Sequence, residues 1–320
     1  MSENVLLAVE NLVKSFAVRN GRRQARALRA VDGVSFCLKQ GTTMGLVGES
    51  GSGKTTTGRA ILRLIEPDSG RILYRGADIT AADMKPYRKK MQIIFQNPGG
   101  SLDPRCRVKD IVAEGLWAHG LVSSRAEEQE RIGQLLADVG LLREDAQRYP
   151  GEFSGGQQQR IGIARAIAVD PEFIVCDEPV SALDVSYQAQ IINMLERLQE
   201  ERGLTYLFIS HDLSVVMHIS QTIGVMYRGC LVETGPCIEV VQHAAHPYTQ
   251  MLLRAIPVPD PQKAKNRQRS CLAFDGEEEG KGCPFWSRCA LRLPICAERV
   301  PKMREVAAQH LCACHLFGEK

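Results

Sequence analysis

Apolar residues recur along the chain with two different periods, and the points where the period changes outline its elements. "VLLAVENLV" and "LRAVDGVSFCL" near the start alternate as half-buried strands do, and "RILYRG" and "KKMQIIFQ" add further strands. "TTMGLV" is a short unbroken apolar run bounded by glycine, which marks a strand covered on both faces at a sheet centre. "KTTTGRAILRLI" has helical spacing and stops at the turn cluster "EPDSG". From about Val108 to Tyr149 the pattern is helical throughout: "VKDIVAEGLWAHGL" and "SRAEEQERIGQLLADVGL" are amphipathic, with no strand between them. "FIVCDE" and "LTYLFIS" are continuous apolar strands again, each after a helical stretch. The alternation predicts a mostly parallel sheet covered by helices, with a helical insert. Beyond "HPYTQMLLRAIP" the periodicity ends, and "PVPDPQKAKNRQRS" and "DGEEEGKG" read as a linker at about 256–282.

Composition narrows the functional classes. The 320 residues allow one large domain or two, and a sizeable core. Forty basic against 37 acidic residues leave a net charge of +3, too balanced for nucleic acid to be the main partner. No apolar run approaches the roughly 18 to 20 residues that span a bilayer. "MSENVLLAVENLVKSF" has no basic segment followed by a long apolar one, so the expected location is cytoplasmic. Disulfides are disfavoured there, yet the chain has 11 cysteines. Six are scattered and suit small apolar packing positions; Cys283, Cys289, Cys296, Cys312 and Cys314 crowd the last forty residues.

Three motifs carry chemistry. In "GESGSGKTT", Gly48, Gly53, Lys54 and Thr55 fit the G-x-x-x-x-G-K-[ST] phosphate loop, with Ser50, Gly51 and Thr56 beside them. Glycines let backbone N–H groups converge on a phosphate, and the helix that follows adds its positive end. Lys54 is expected to reach the β- and γ-phosphates of ATP, and the Thr55 hydroxyl to bind Mg²⁺. "FIVCDE" ends a buried strand in Asp177, a candidate for the Mg²⁺ shell, and Glu178, a candidate for polarising water. "FSGGQQQR" places Ser154, Gly155, Gly156 and Gln157 at the start of a predicted helix, a second anion site about a hundred residues from the first. Two half-sites on one chain point to a head-to-tail pair, each chain completing the other's site.

In this order, "GESGSGKTT", "FQNP", "FSGGQQQR", "IVCDEPVSALD" and "ISHD" resemble the ATP-binding cassette (ABC) transporter ATPases over about residues 5 to 255. The resemblance implies a P-loop α/β cassette with a mixed sheet, at residues 1–255, containing a helical subdomain at about 100–165. It implies that Gln96 touches Mg²⁺ and senses the membrane partner. Ser154 to Gln157 become the signature motif shown to the partner's ATP, and Asp184 sits at the dimer seam. His211 would bond the γ-phosphate, and Phe16 would stack on adenine. Catalysis would then rest on Glu178, His211, Gln96 and Lys54. A non-transport ABC ATPase, or a cytosolic nucleotide-binding sensor, remains an alternative use of the same motifs.

"MQIIFQNPGGSLDPR", "PVSALDVSYQAQIINMLERLQEERGLTYLFISHDLSVV" and "HPYTQMLLRAIP" are similar to the peptide and nickel importers, in their dipeptide or oligopeptide "F"-type ATPase. Asn97, Gln158 and Cys176 stand where that branch commonly has Asp, Arg and Ala. The branch implies an unlike second ATPase, two integral membrane permease subunits and an extracytoplasmic binding protein, with this chain peripheral on the cytoplasmic face of the membrane. Peptide is the implied cargo, and nickel chelates or another small solute are the alternatives.

The extension at 283–320, "GCPFWSRCALRLPICAERVPKMREVAAQHLCACHLF", gathers thiols that suit a soft metal or a cluster. The spacing is not that of a common zinc ribbon, and a zinc Cys₃His site including His315 is an alternative. The tail resembles the same branch's C-terminal extension, which implies a [4Fe–4S] cluster on Cys283, Cys289, Cys296 and Cys314, with Cys312 a competitor.

Overall fold

The computed structural model describes residues 4–18, 26–256 and 281–318. The linker expected at 256–282 lies almost wholly outside the described residues, as does Cys271. β1 (Val5–Val18) and β2 (Arg26–Lys39) pair antiparallel, and β3 (Thr43–Val47) runs into α1 (Lys54–Ile61). β4 (Ser69–Tyr74) and β5 (Ala77–Asp78) follow, then the single turn α2 (Lys85–Arg88), β6 (Met91–Ile94) and the short α3 (Pro98–Ser101). α4 (Val108–Ala118), α5 (Arg125–Asp138) and α6 (Gly155–Ile167) form the helical insert. β7 (Phe173–Asp177), α7 (Val185–Arg202), β8 (Thr205–Ser210), α8 (Leu213–Ile219), β9 (Thr222–Tyr227) and β10 (Cys230–Pro236) return to the sheet. α9 (Cys237–Gln242) and α10 (Pro247–Ala255) precede the extension, which contributes β11 (Arg304–Ala307) and β12 (His310–Cys312).

Two sheets result. β2-β1-β4-β5 is antiparallel. The larger runs β11-β12-β10-β9-β3-β8-β7-β6, parallel from β9 to β6 and antiparallel beyond β9. Its central strands are buried on both faces, and their alternate residues serve different cores. Ile174, Cys176, Tyr206 and Phe208 pack with the helical insert and α7. Phe173, Val175, Leu207 and Ile209 pack under α1 and the antiparallel sheet. That is why these strands read as continuous apolar runs: one pleat faces one core, the next faces the other. No helix among the described residues is long and apolar enough to cross a membrane.

The extension shares the sheet and the core of the rest of the chain. β12 pairs with β10 through Glu233↔Cys312 and Thr234↔Leu311, and Cys283, Phe285 and Cys296 pack into the same core as α7 and α8. The join is made by a fully buried carboxylate. Glu233 accepts hydrogen bonds from the N–H groups of Ala245 (2.7 Å) and His246 (3.0 Å), and lies 2.7 Å from His310 Nε2. Such a carboxylate is tolerable only when its lone pairs are satisfied, and here both oxygens are.

His246 packs nearby against Phe285. Its Nδ1 accepts the Tyr248 N–H at 3.0 Å, so the ring proton sits on Nε2, which has no partner. A second proton would have to enter on Nδ1, against an N–H donor, in a ring 1% exposed. Burial accordingly pushes the imidazole down from 6.5 to about 4. Between those values the unfolded chain holds the extra proton, so stability falls as pH falls from about 6.5 to 4, by about 3 kcal/mol in all. We expect urea unfolding to report about 2 kcal/mol less stability at pH 5 than at pH 7.5, and His246→Asn, which keeps an acceptor for the Tyr248 N–H, to remove that difference. An unchanged pH slope in the variant would refute this assignment.

Candidate functional site

β3 carries the chain through the middle of the sheet and releases it at Val47 into the phosphate loop. Gly48 (φ 153°) and Gly53 (φ 101°) have backbones that favour glycine, and space forbids anything else. A Cβ on Gly48 would lie 2.1 Å from the Met226 carbonyl oxygen, and one on Gly53 2.1 Å from that of Ala30. The loop is thus clamped between β9 and β2. Lys54, at the first position of α1, folds back to donate to the carbonyls of Gly48 (2.8 Å) and Glu49 (3.0 Å) and to Ser52 Oγ (3.4 Å). Burial pulls its pKa down, against the fields of Glu178, Asp177 and Glu49.

Beside it, Thr55 Oγ1 donates to Asp177 Oδ1 at 2.7 Å. Asp177 is 1% exposed, and its Oδ2 has no hydrogen-bond partner; Arg59 Nη2 is 3.6 Å away. Burial raises this carboxyl's pKa, while Thr55 and Arg59 oppose the rise. A buried carboxylate oxygen without a donor, next to a hydroxyl and below a phosphate loop, is a hard-oxygen donor set that fits Mg²⁺. Glu178, the next residue, sits at φ 47°, a conformation rare outside glycine, held by its N–H on the Ile209 carbonyl (3.0 Å). Its Oε2 accepts from Gln96 Nε2 at 2.8 Å and lies 3.3 Å from His211 Nδ1. Three candidate residues from three strand ends, β6, β7 and β8, therefore meet on one oxygen.

The cleft they line has a volume of about 750 Å³. Its walls include Gly48, Ser50, Gly51, Gly53, Lys54, Thr55, Thr56, Gln96, Glu178 and His211, and Phe16, 42% exposed, stands at the rim. Sequence reasoning missed Glu49, Leu28, Ala30 and Leu252, which line it too. Glu49 was inside the quoted motif; the others carry no local signal.

The second group lies apart from this cleft. Ser154 caps α6 reciprocally: its Oγ accepts the Gln157 N–H (3.4 Å), and Gln157 Oε1 accepts the Ser154 N–H (3.0 Å). Ser154 and Gly155 are exposed, and Gly156 is buried against Tyr187. Asp184, exposed, caps α7 through the Tyr187 N–H (3.1 Å). None of these residues lines the 750 Å³ cleft.

In the extension, Cys283 and Cys296 are buried, and Cys289 and Cys314 are half-buried. The Leu293 N–H donates to the Cys296 sulfur at 3.4 Å, and at Cys283, Cys289 and Cys314 burial raises the thiol pKa while the backbone N–H groups of Phe285, Leu291 and Leu316 oppose the rise. Cys283 is pushed up to about 12, first by burial and then by the fields of the other three thiols. Burial also raises the thiol of Cys312, 1% exposed, and the fields of Glu233, Cys314 and Cys283 add to the rise. Among the described residues, no three His, Cys, Asp or Glu side chains converge tightly enough to hold a single metal ion.

The comparisons with known proteins agree with this geometry. The family model "ABC transporter" matches residues 31–181, and "Oligopeptide/dipeptide transporter, C-terminal region" matches residues 232–296. The oligopeptide transport ATP-binding protein AppF of Bacillus subtilis (strain 168) is 47% identical, over 99% of each chain. OppF of the same organism is 53% identical, over 82% of this chain and 86% of that one. Among solved structures, the ATP-binding cassette MJ0796, a dimer in a post-hydrolysis state with ADP and Pi, superposes with a TM-score of 0.65 at 26% identity, covering 72% of this chain and 99% of that one. With a phosphate loop, an acidic strand end and a capped glycine helix start on one mixed-sheet scaffold, the chain belongs to the ABC transporter family, as an ATP-hydrolysing subunit of its oligopeptide and dipeptide branch.

Proposed function

We propose that the chain hydrolyses ATP in the 750 Å³ cleft to drive a peptide importer, working beside a second ATPase subunit, two membrane permeases and, through them, an extracytoplasmic binding protein. The observation that carries the site assignment is the meeting of Gln96 and His211 on Glu178 Oε2 beneath the phosphate loop. Lys54 releases the Gly48 and Glu49 carbonyls and turns its ammonium to the β- and γ-phosphates, while loop N–H groups hold the β-phosphate. Thr55, Gln96 and Asp177 would hold Mg²⁺, which supplies charge neutralisation at the phosphate oxygens. Glu178 orients and polarises the attacking water. His211 holds the γ-phosphate, and Phe16 covers the base. Gln96 stands between the end of β6 and the start of α3, so a magnesium ligand there can report occupancy toward the helical insert.

Ser154, Gly155, Gly156 and Gln157 present the N-terminus of α6 outward, with Asp184 at the seam. Their separation from the cleft of their own chain supports a role on a partner's nucleotide. Closure of two cassettes around ATP then moves the permeases, and this chain sits peripherally on the membrane's inner face. Cargo recognition lies in those other subunits.

The extension, in this reading, holds a [4Fe–4S] cluster on Cys283, Cys289, Cys296 and Cys314. Its support is the soft donor set, the mutual fields of Cys283, Cys289, Cys296 and Cys314, and the Leu293 N–H on the Cys296 sulfur.

Glu178→Gln should lower the hydrolysis rate roughly 10²-fold or more, with ATP affinity held; turnover near wild type would remove Glu178 as the base. Protein purified without oxygen should contain about four irons and four sulfides per chain. Stoichiometric zinc would recast the tail as a structural clip, and no metal would overturn the cluster.

A further inference from the structure

The extension reaches the phosphate loop directly. Arg288, in the single turn Trp286–Arg288 between Cys283 and Cys289, extends its guanidinium to Glu49, the second residue of "GESGSGKT". Nη1 donates to Glu49 Oε2 at 2.8 Å and Nη2 to Oε1 at 2.9 Å, a parallel two-pronged pair. The guanidinium lies 5.8 Å from the ring centres of both Tyr227 and Phe285, which limits its alternative rotamers. Exposed ion pairs contribute little, but a bidentate pair on an aromatic base, half withdrawn from water, is geometrically fixed.

Glu49 is held at its other polar groups as well. Its N–H donates to the Tyr248 hydroxyl at 2.9 Å, and its carbonyl accepts from Lys54 Nζ at 3.0 Å. One loop residue thus joins three parts of the chain: the extension by its carboxylate, α10 by its amide, and the phosphate-binding lysine by its carbonyl. Arg288 is tied in turn to the thiol group. Its N–H donates to the Phe285 carbonyl, the Trp286 N–H donates to the Cys283 carbonyl at 3.0 Å, and Cys289, which follows Arg288 directly, donates its N–H to the Trp286 carbonyl at 3.3 Å. A rearrangement of the Cys283–Cys289 turn cannot leave Arg288 in place.

We infer that Arg288 is a positioning residue for nucleotide: through Glu49 it makes the phosphate loop answer to the state of the cysteine group in the extension. Two effects combine. The pair holds the loop in one geometry, and it neutralises a carboxylate that would otherwise repel phosphate at the mouth of an anion site. Coupling of this kind is reciprocal, so nucleotide in the cleft must also alter the reactivity of the tail thiols.

The inference rests on the phosphate-loop reading above, and the two can fail separately. Binding of MgADP to the full chain is measured for wild type, Arg288→Gln, Arg288→Lys, Glu49→Gln and the Arg288→Gln/Glu49→Gln pair. Arg288→Gln, which bares the Glu49 carboxylate, should weaken binding about tenfold, Arg288→Lys less, and adding Glu49→Gln should recover most of the loss. Losses that simply add would mark Arg288 as structural and overturn the inference. Maleimide labelling of Cys283, Cys289, Cys296 and Cys314 in protein purified without oxygen, read by mass spectrometry, supplies the second arm: it reports how fast the group opens, since a sulfur held by a cluster reacts only once released. MgADP should change the labelling rate in wild type and leave it unchanged in Arg288→Gln; equal sensitivity in both would also overturn it. Lys54→Ala is the control, since undiminished MgADP binding there would remove the phosphate-loop reading itself.

Discussion

The fold turns on a steric constraint at the end of β3. A strand buried along all five residues must hand the chain to a loop that two other backbones press on, at Met226 and at Ala30. No side chain fits at Gly48 or Gly53, so at those two positions the loop is bare backbone, with the helix start behind it. The flanking strands supply the rest, since parallel neighbours end at the same level as β3. β7 delivers Asp177 and Glu178, β8 leads to His211, and β6 leads to Gln96, all at the carboxyl edge of the sheet where open α/β folds bind ligands.

The polar groups there are arranged for something they do not supply themselves. Lys54 satisfies its ammonium on the loop's own carbonyls, which a phosphate can replace at small cost because they are neutral acceptors. Asp177 keeps one oxygen without a hydrogen-bond donor in a buried setting, an expensive arrangement for an isolated protein and a productive one beside a divalent cation. Glu178 stands in a left-handed backbone conformation, so its carboxylate points away from the strand direction and toward Gln96 and His211.

Much of this was legible in the chain. Lys54, Thr55, Asp177 and Glu178 lie in contiguous motifs whose chemistry depends on sequence-local geometry, and "FIVCDE" and "LTYLFIS" read as doubly buried strands because both pleats are covered. The elements that could not be read depend on tertiary contacts. Leu28 and Leu252 reach the cleft from β2 and α10 only after the sheets assemble. The Arg288–Glu49 pair joins residues 239 apart, and neither belongs to a charge pattern that would announce it. The cysteine tail read as a separate unit because a Pro- and charge-rich stretch precedes it. In three dimensions its last strands continue the main sheet, an addition that three paired residues cannot signal by periodicity.

That addition has a consequence for solubility. Without β12, strand β10 would be the margin of the sheet, seven residues long, largely apolar and with one side of its backbone unpaired, a template for another chain's strand. With the extension folded, the margin becomes β11, four residues with Arg304 and Glu305 exposed, a poor surface for such pairing. The segment that reaches the nucleotide loop through Arg288 is therefore also the hem of the sheet. Any event that unfolds it would both loosen the loop and bare an adhesive edge.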